Sequence, residues 1–219
     1  MKEIEIPKKI LDLYEKVGVM SLGERHGIKE NYDIYQQILN SLPQKPNLAI
    51  EFGYFDKIEF QNFLNNKKLD LKYIQGDGRV NLEYFNFLKN YLLDNQNTKI
   101  IYLDEELERN EISRDEQQSI YFLKNFERPM VIICGETHAR KEPIHWSEGN
   151  IQIPMCFYVK NALGDFPNIR IMPASGACYY MNKITEIPKD DKLCGIIIDK
   201  GDNIYEYNFE KATPTTPLE

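Results

Sequence analysis

Two short segments of the sequence share the pattern Gly-Glu-x-His. The first, GERH, spans residues 23–26, and the second, GETH, spans residues 135–138. Each follows directly after a run of apolar residues, and together they contain two of the three histidines in the chain. Glutamate and histidine side chains two residues apart can point in the same direction from an extended segment. The two segments could therefore contribute carboxylate and imidazole groups to one site.

Such a site could support two kinds of chemistry. Clustered carboxylates and imidazoles can hold a divalent metal ion, and the candidate ligands are Glu24, His26, Glu51, Glu136 and His138. Alternatively, a carboxylate could orient one histidine as a general base, and the candidate catalytic residues are then Glu24, His26, Glu51 and His138. Glu51 is included because it ends another apolar segment, LAIE. Desolvated like charges repel each other, so a functional site explains these clustered acids better than fold stability does.

Three arginines are candidates for binding a substrate anion or a developing oxyanion. Arginine suits this role because its charge is permanent and its donors form a fork. Arg114 opens the segment RDEQQ, Arg79 ends the loop at residues 76–79, and Arg140 follows His138 by two positions. Simpler interpretations exist for two of them. Arg114 could be a solvated residue of a first helical turn, and Arg79 could belong to an ordinary turn.

The elements that must position these residues alternate along the chain. Short apolar segments predict strands at residues 16–22, 48–52, 99–103, 130–134 and 168–172. Helical periodicity predicts helices at about residues 30–42, 56–66, 82–93, 114–126 and 154–163. This alternation predicts an α/β fold whose mostly parallel sheet is covered by helices on both faces. Ligands bind such sheets beyond the carboxyl ends of the strands, where both Gly-Glu-x-His segments and Glu51 would meet.

The C-terminal part of the chain follows a different pattern. Two segments, residues 194–199 and 203–209, flank the turn sequence at residues 200–202 and predict an antiparallel hairpin at the edge of the same sheet. We expect a single α/β domain over residues 1–211 and a flexible tail over residues 212–219. Asp104 also ends a predicted strand, but it begins the acidic run DEE, which is typical of a solvated face.

Composition narrows the classes of function. The 219 residues carry a net charge of −7, so the chain is a poor candidate for nonspecific nucleic-acid binding. Mean hydropathy is −0.52, and no apolar run approaches the roughly 20 residues that a membrane-spanning helix needs.

The charged N-terminus lacks the apolar core of a signal peptide, which favours a cytoplasmic location. The four cysteines show no CxxC spacing and are expected to be buried, reduced thiols. The expected partner is a small-molecule substrate or ligand, and the oligomeric state stays open.

The order of the motifs resembles a known superfamily. GExHG, then IE, then RD at a helix start, then GxxHAR resembles the erythromycin esterase and ChaN-like proteins, which are related to the TraB/Tiki-type proteins with paired GxxH motifs. The resemblance covers residues 17–140. It implies a mixed α/β core with a cleft built from the matching residues, which are Glu24, His26, Glu51, Arg114 and His138.

The resemblance implies two classes of function. In the esterases the first histidine activates water for attack on an ester, and in the Tiki-type proteins the same positions bind a divalent metal. The resemblance therefore implies a small hydrolase of an ester or amide bond, with or without a metal. ChaN-like proteins bind haem, so the alternative is a haem- or metabolite-binding protein without turnover. A chain of 219 residues leaves no room for the helical insertions that build a macrolide site, so a macrolide is not the expected substrate.

Overall fold

The computed structural model describes residues 3–70, 78–107, 111–147, 149–181 and 183–216. Within these ranges the helices are α1 (Lys8–Val17), α2 (Glu30–Ser41), α3 (Tyr54–Leu64), α4 (Leu82–Asp94), α5 (Arg114–Lys124), α6 (Glu136–Ala139) and α7 (Met155–Leu163). The strands are β1 (Val19–Glu24), β2 (Asn47–Gly53), β3 (Ile100–Asp104), β4 (Met130–Gly135), β5 (Ile144–His145), β6 (Ile151–Gln152), β7 (Asn168–Pro173), β8 (Gly176–Tyr180), β9 (Lys183–Ile187), β10 (Ile197–Asp199) and β11 (Ile204–Phe209).

Seven strands form one sheet in the order β10-β11-β7-β1-β4-β2-β3. Every neighbouring pair is parallel except β10 and β11, which form an antiparallel hairpin at one edge. The structure thus confirms the predicted α/β fold with a mostly parallel sheet and an antiparallel C-terminal edge hairpin. The carboxyl ends of β1, β2, β3 and β4 lie at the same edge, as parallel pairing requires.

Two apolar layers cover the sheet, one on each face. Successive residues of a strand point to opposite faces, and β4 shows this clearly. Val131 and Ile133 pack into the layer that contains helices α1 to α4. Met130 and Ile132 pack into the layer that contains α5 and α7. The near-continuous apolar strands recognised in the sequence therefore reflect burial on both sides.

The structure corrects several element boundaries. The strand predicted at residues 16–22 starts later, because α1 occupies the preceding segment and was not predicted. Gly18 ends that helix with a positive φ of 81°, and its N–H donates to the carbonyl of Tyr14. The hairpins β5–β6 and β8–β9 were also not predicted, since β5 and β6 have only two residues each and β9 is mostly exposed. Residues 76 and 77 of the predicted turn at residues 76–79 lie outside the described residues.

Residues 212–216 fall in the segment for which we expected a flexible tail, and they are packed instead. Ala212 and Thr215 are buried, and Pro214 forms an isolated bridge with Ile28. The N–H of Thr215 donates to the carbonyl of Gly27 over 3.0 Å. The sequence pattern did not predict this packing, because these contacts involve partners that are distant in sequence. Residues 217–219 lie outside the described residues.

No helix in the described part of the chain is long and apolar enough to cross a membrane.

The packed tail makes a prediction about stability. A chain that ends at Lys211 loses at least five backbone hydrogen bonds and the burial of Ala212 and Thr215. We expect the free energy of unfolding to fall by about 3 kcal/mol or more, measured by urea denaturation. A chain that ends at Thr216 keeps these contacts and serves as the control. Equal stability of the two truncated chains would contradict the packed arrangement.

Candidate functional site

The site lies where β1, β2, β3 and β4 end. Two glycines allow the elements to approach closely there. A Cβ atom on Gly23 would lie 2.8 Å from the Cβ of Ala139 in α6, and one on Gly135 would lie 3.0 Å from Nε2 of His26. The glycine of each Gly-Glu-x-His segment therefore makes room for the other segment. This close approach brings the two histidines to one place.

Glu51 occupies the centre of the site, with 4% of its side chain exposed. Its Oε1 accepts hydrogen bonds from Nη1 of Arg79 over 2.9 Å and from Nη2 of Arg114 over 2.6 Å. Its Oε2 accepts from the backbone N–H of Gly135 over 2.8 Å. Burial by itself would raise the pKa of Glu51, but the positive charges of the nearby histidines and guanidinium groups hold that pKa well below its usual range. Glu51 is therefore a permanent anion.

His26 lies between two carboxylates. Its Nδ1 is 2.9 Å from Oε1 of Glu24, and its Nε2 is 3.7 Å from Oε2 of Glu51. Glu24 is itself held in place, because it accepts hydrogen bonds from Nδ2 of Asn31 over 2.8 Å and from the hydroxyl of Tyr35. Burial lowers the pKa of His26, but the hydrogen bond to Glu24 and the charge of Glu51 outweigh it, so the pKa is raised above its ordinary value.

His138 has a matching environment built from different elements. Its Nδ1 is 2.7 Å from Oδ1 of Asp115, and its Nε2 is 3.5 Å from Oε1 of Glu51. Asp115, in the first turn of α5, also accepts from the N–H of Met155 over 2.8 Å and from Nε2 of Gln152 over 2.9 Å. Burial lowers the pKa of His138, and the hydrogen bond to Asp115 and the charge of Glu51 reverse the shift, so this pKa is also raised.

Asp115 is the site residue that the sequence analysis missed. It follows Arg114 directly in RDEQQ, and only the arginine was singled out there. An acid in the first turn of a helix is common because it interacts favourably with the helix dipole, so its identity carries little signal. Its position beside an arginine of the expected site could have marked it. Its contact with His138 is a tertiary feature.

Both imidazoles therefore present Nδ1 to a carboxylate of their own and Nε2 to the shared Glu51. In the neutral form, an Nδ1 proton donated to the carboxylate leaves Nε2 as an acceptor. The cluster holds four carboxylates, those of Glu24, Glu51, Asp104 and Asp115, and two guanidinium groups. Two positive charges on the imidazoles would bring these charges into balance. The arrangement can hold and release protons at two points of one site.

A cleft of about 550 Å³ opens beside the two histidines. Its lining comprises Glu24, Arg25, His26, Gly135, Glu136, Thr137, His138, Cys178, Tyr180, Thr185, Glu186 and Pro188. The hairpin β8–β9 forms one wall. The N–H of Tyr179 in this hairpin donates to the carbonyl of Gly27 over 2.9 Å, so the wall is fixed to the residue that follows His26. The cleft gives a small molecule access to both imidazoles.

The structure places the predicted arginines differently from one another. Arg79 is buried and donates to Glu51 and, over 3.3 Å, to Asp104. Arg114 also donates to both acids, but 37% of its side chain is exposed, and its Nη1 lies 3.4 Å from Nε2 of His138. Arg114 lines a second cavity of about 420 Å³, and its contact with His138 brings its guanidinium next to the first cleft. Arg79 is nearly fully buried against the same two carboxylates, and its role in substrate binding stays a prediction.

At this edge the expectation for Asp104 needs correction, whereas the role of Arg140 in substrate binding stays a prediction. Arg140 pairs with Glu136 over 3.0 Å, and Glu136 also accepts from Arg170. This second ion-pair group is separate from the contacts of Glu51, although Glu136 lines the cleft. Asp104 belongs to the site rather than to a solvated face, because its carboxylate is buried against Arg114 and accepts from Gln118 over 2.5 Å.

The residues proposed as metal ligands are brought together only in part. Within the described residues, no group of three His, Cys, Asp or Glu side chains is arranged to hold a metal ion. The carboxylate of Glu51 already faces two guanidinium groups, which would repel a divalent cation. The Nδ1 atoms of both histidines face carboxylates. Such contacts leave Nε2 available in proton-transfer sites and in metal centres alike, so the metal stays a prediction.

Comparisons with known proteins show the fold. No protein-family profile and no curated protein matches the chain. Among solved structures, a succinoglycan biosynthesis protein is 12% identical with a TM-score of 0.65, covering 97% of this chain and 93% of the other. A mutant erythromycin esterase in its open conformation is 9% identical with a TM-score of 0.61, covering 83% and 78%. A protein from Bacillus cereus is 10% identical with a TM-score of 0.57, covering 97% and 93%. The chain therefore shares its fold with these three proteins.

The two carboxylate contacts predict independent tuning of the histidines. We expect NMR titration to place the imidazole pKa values of His26 and His138 above 6.5. Glu24→Gln should lower the pKa of His26 and leave that of His138 nearly unchanged. Asp115→Asn should do the reverse. A similar response of both imidazoles to either substitution would contradict the described pairing.

The raised pKa values also predict how stability depends on pH. A pKa that is higher in the folded than in the unfolded protein adds stability below about pH 6.5, and this contribution is lost as pH rises through the folded value. The free energy of unfolding should therefore fall as pH increases above 6.5. A chain with both His26→Ala and His138→Ala should lack this decline, whereas His145→Ala, in the exposed part of β5, should retain it.

Proposed function

We propose that the protein is a small hydrolase that cleaves an ester or amide bond in this cleft. The observation that carries the proposal is the pair of carboxylate-oriented imidazoles at one cleft. Two oriented histidines at the same cleft can carry out general acid–base catalysis, because one can accept a proton while the other donates one. A fold shared with an erythromycin esterase is compatible with this activity, although a likeness at 9% identity carries no residue roles.

The reaction needs only side chains of the described site. His26, neutral and oriented by Glu24, removes a proton from a water molecule at Nε2 as the water oxygen attacks the carbonyl carbon. The carboxylate of Glu24 stabilises the imidazolium that forms. His138, protonated and oriented by Asp115, donates a proton to the leaving group as its bond to the carbonyl carbon breaks. The partly exposed guanidinium of Arg114 stabilises the developing oxyanion.

Glu51 sets the charge balance for this reaction. It is an anion at any pH at which the protein would work, so it favours imidazolium at both histidines. A raised pKa keeps a larger fraction of His138 protonated and ready to donate, and it makes His26 a stronger base once its proton is lost. Turnover requires one neutral and one protonated imidazole. The pH dependence of kcat/KM should therefore be bell-shaped, with its maximum above pH 6.5.

The main test is substitution of each histidine. We expect His26→Ala and His138→Ala each to lower kcat/KM for an alkyl ester such as ethyl acetate by about 100-fold or more, because an alkoxide leaving group needs a proton and general acid–base groups contribute that much. His145→Ala is the matched control and should retain wild-type activity. Thermal unfolding of each variant separates loss of chemistry from loss of fold. A wild-type protein that hydrolyses no ester or amide in a substrate panel, yet copurifies with haem absorbance, would instead support a binding protein.

Glu51 provides a second test. Glu51→Gln keeps the size of the side chain almost unchanged and removes the negative charge that both imidazoles face. We expect the pH optimum of kcat/KM to shift downward, because both histidines lose a stabilising anion. The free energy of unfolding should also fall by about 3 kcal/mol, since two guanidinium groups lose a partner. Glu106→Gln, on an exposed residue, should change neither quantity. Equal effects of the two substitutions would argue against a specific role for Glu51.

A further inference from the structure

Arg25 lies in the cleft beside the proposed base and has no assigned role. It separates Glu24 from His26 in the sequence, lines the same cleft and is exposed. Its backbone is fixed, because its carbonyl accepts a hydrogen bond from Nδ2 of Asn31 over 2.9 Å. Its guanidinium makes no ion pair with any carboxylate in the parts of the chain that the structure describes. The backbone of Arg25 is thus fixed, and its guanidinium is available to a ligand in the cleft.

The other arginines around the site differ from Arg25 in this respect. Arg79 and Arg114 donate to Glu51, and Arg140 and Arg170 donate to Glu136. Their charges are already balanced by carboxylates of the protein. Among the cleft-lining residues with defined placement, Arg25 therefore offers a positive charge that a ligand can use without displacing a protein group.

Arg25 lines the cleft together with residues of the hairpin wall. Arg25 lines the same cleft as Cys178 of β8, and its positive charge opposes the rise that burial gives the pKa of the Cys178 thiol. Glu186 in β9 lines the same cleft and is exposed. Its negative charge would repel an anion. An anionic group that enters the cleft is therefore directed towards Arg25 and away from Glu186.

We propose that Arg25 binds an oxyanionic group of the substrate, so that the preferred substrate is an ester or amide that also carries a carboxylate or a phosphate. This inference rests on the proposed hydrolase function. Arginine is suited to such a group because its fork of donors binds both oxygens of an oxyanion. The chain carries a net charge of −7 and would otherwise repel anionic molecules, so a local cation is needed to admit one.

Paired substrates test the inference. Monomethyl glutarate carries one carboxylate, whereas dimethyl glutarate has the same ester and no charge. We expect the wild-type protein to prefer the monoester, and Arg25→Gln to reduce that preference by about 10- to 100-fold, mainly through KM. Arg25→Lys should restore part of it, and Glu186→Gln should increase it. His145→Gln is the control and should leave it unchanged. An unaltered preference in Arg25→Gln would overturn the inference while hydrolysis itself stands.

Direct binding separates the two proposals. Calorimetry with glutarate and with inorganic phosphate measures anion binding without turnover and distinguishes a carboxylate from a phosphate site. We expect Arg25→Gln to weaken binding of at least one of them by about 10-fold or more. Binding that depends on Arg25 without hydrolysis of any ester would sustain the anion site and refute the hydrolase. Binding of neither anion, or binding that is indifferent to Arg25, would refute the anion site.

Discussion

The buried carboxylate of Glu51 is the interaction on which the site depends. Removing a carboxylate from water costs several kcal/mol, and only close positive charges and hydrogen bonds can offset this. Arg79, Arg114 and the N–H of Gly135 supply them from three separate parts of the chain. Satisfying one charge thus fixes the positions of β2, β4 and the start of α5 relative to one another. The two histidines then meet an anion whose position is already determined.

The two imidazoles share Glu51 but are oriented by different elements, and this difference permits different roles. Glu24 lies on β1 and is held by buried side chains of α2, whereas Asp115 lies on α5 and is held by the backbone at the start of α7. The carboxylate partners therefore belong to opposite layers of the fold. A change in either layer can adjust one histidine while the other keeps its environment. A pair of chemically identical groups can divide into acid and base in this way.

Part of this arrangement was predictable from the sequence, for a definite physical reason. Apolar runs report burial on both faces of a parallel strand, and residues that end such runs must gather at one edge, so His26, His138 and Glu51 could be placed together. Pairing between charged side chains depends instead on where long side chains reach. The sequence therefore did not separate Arg79, which is buried under Glu51, from Arg114, which is partly exposed. The contact of Asp115 with His138 had no local signal.

Two elements that the sequence pattern missed, the hairpin β8–β9 and the C-terminal segment, converge on the loop that carries His26. The carbonyl of Gly27 accepts hydrogen bonds from the N–H of Tyr179 in β8 and from the N–H of Thr215 in the C-terminal segment. Gly27 adopts a positive φ of 75°, and a Cβ atom there would lie 1.8 Å from the carbonyl oxygen of Tyr179, so this junction requires glycine. The wall of the cleft and the proposed base are thus joined through one peptide group. Movement of the hairpin would displace His26 as well, so the part of the molecule that selects a substrate is mechanically coupled to the part that acts on it.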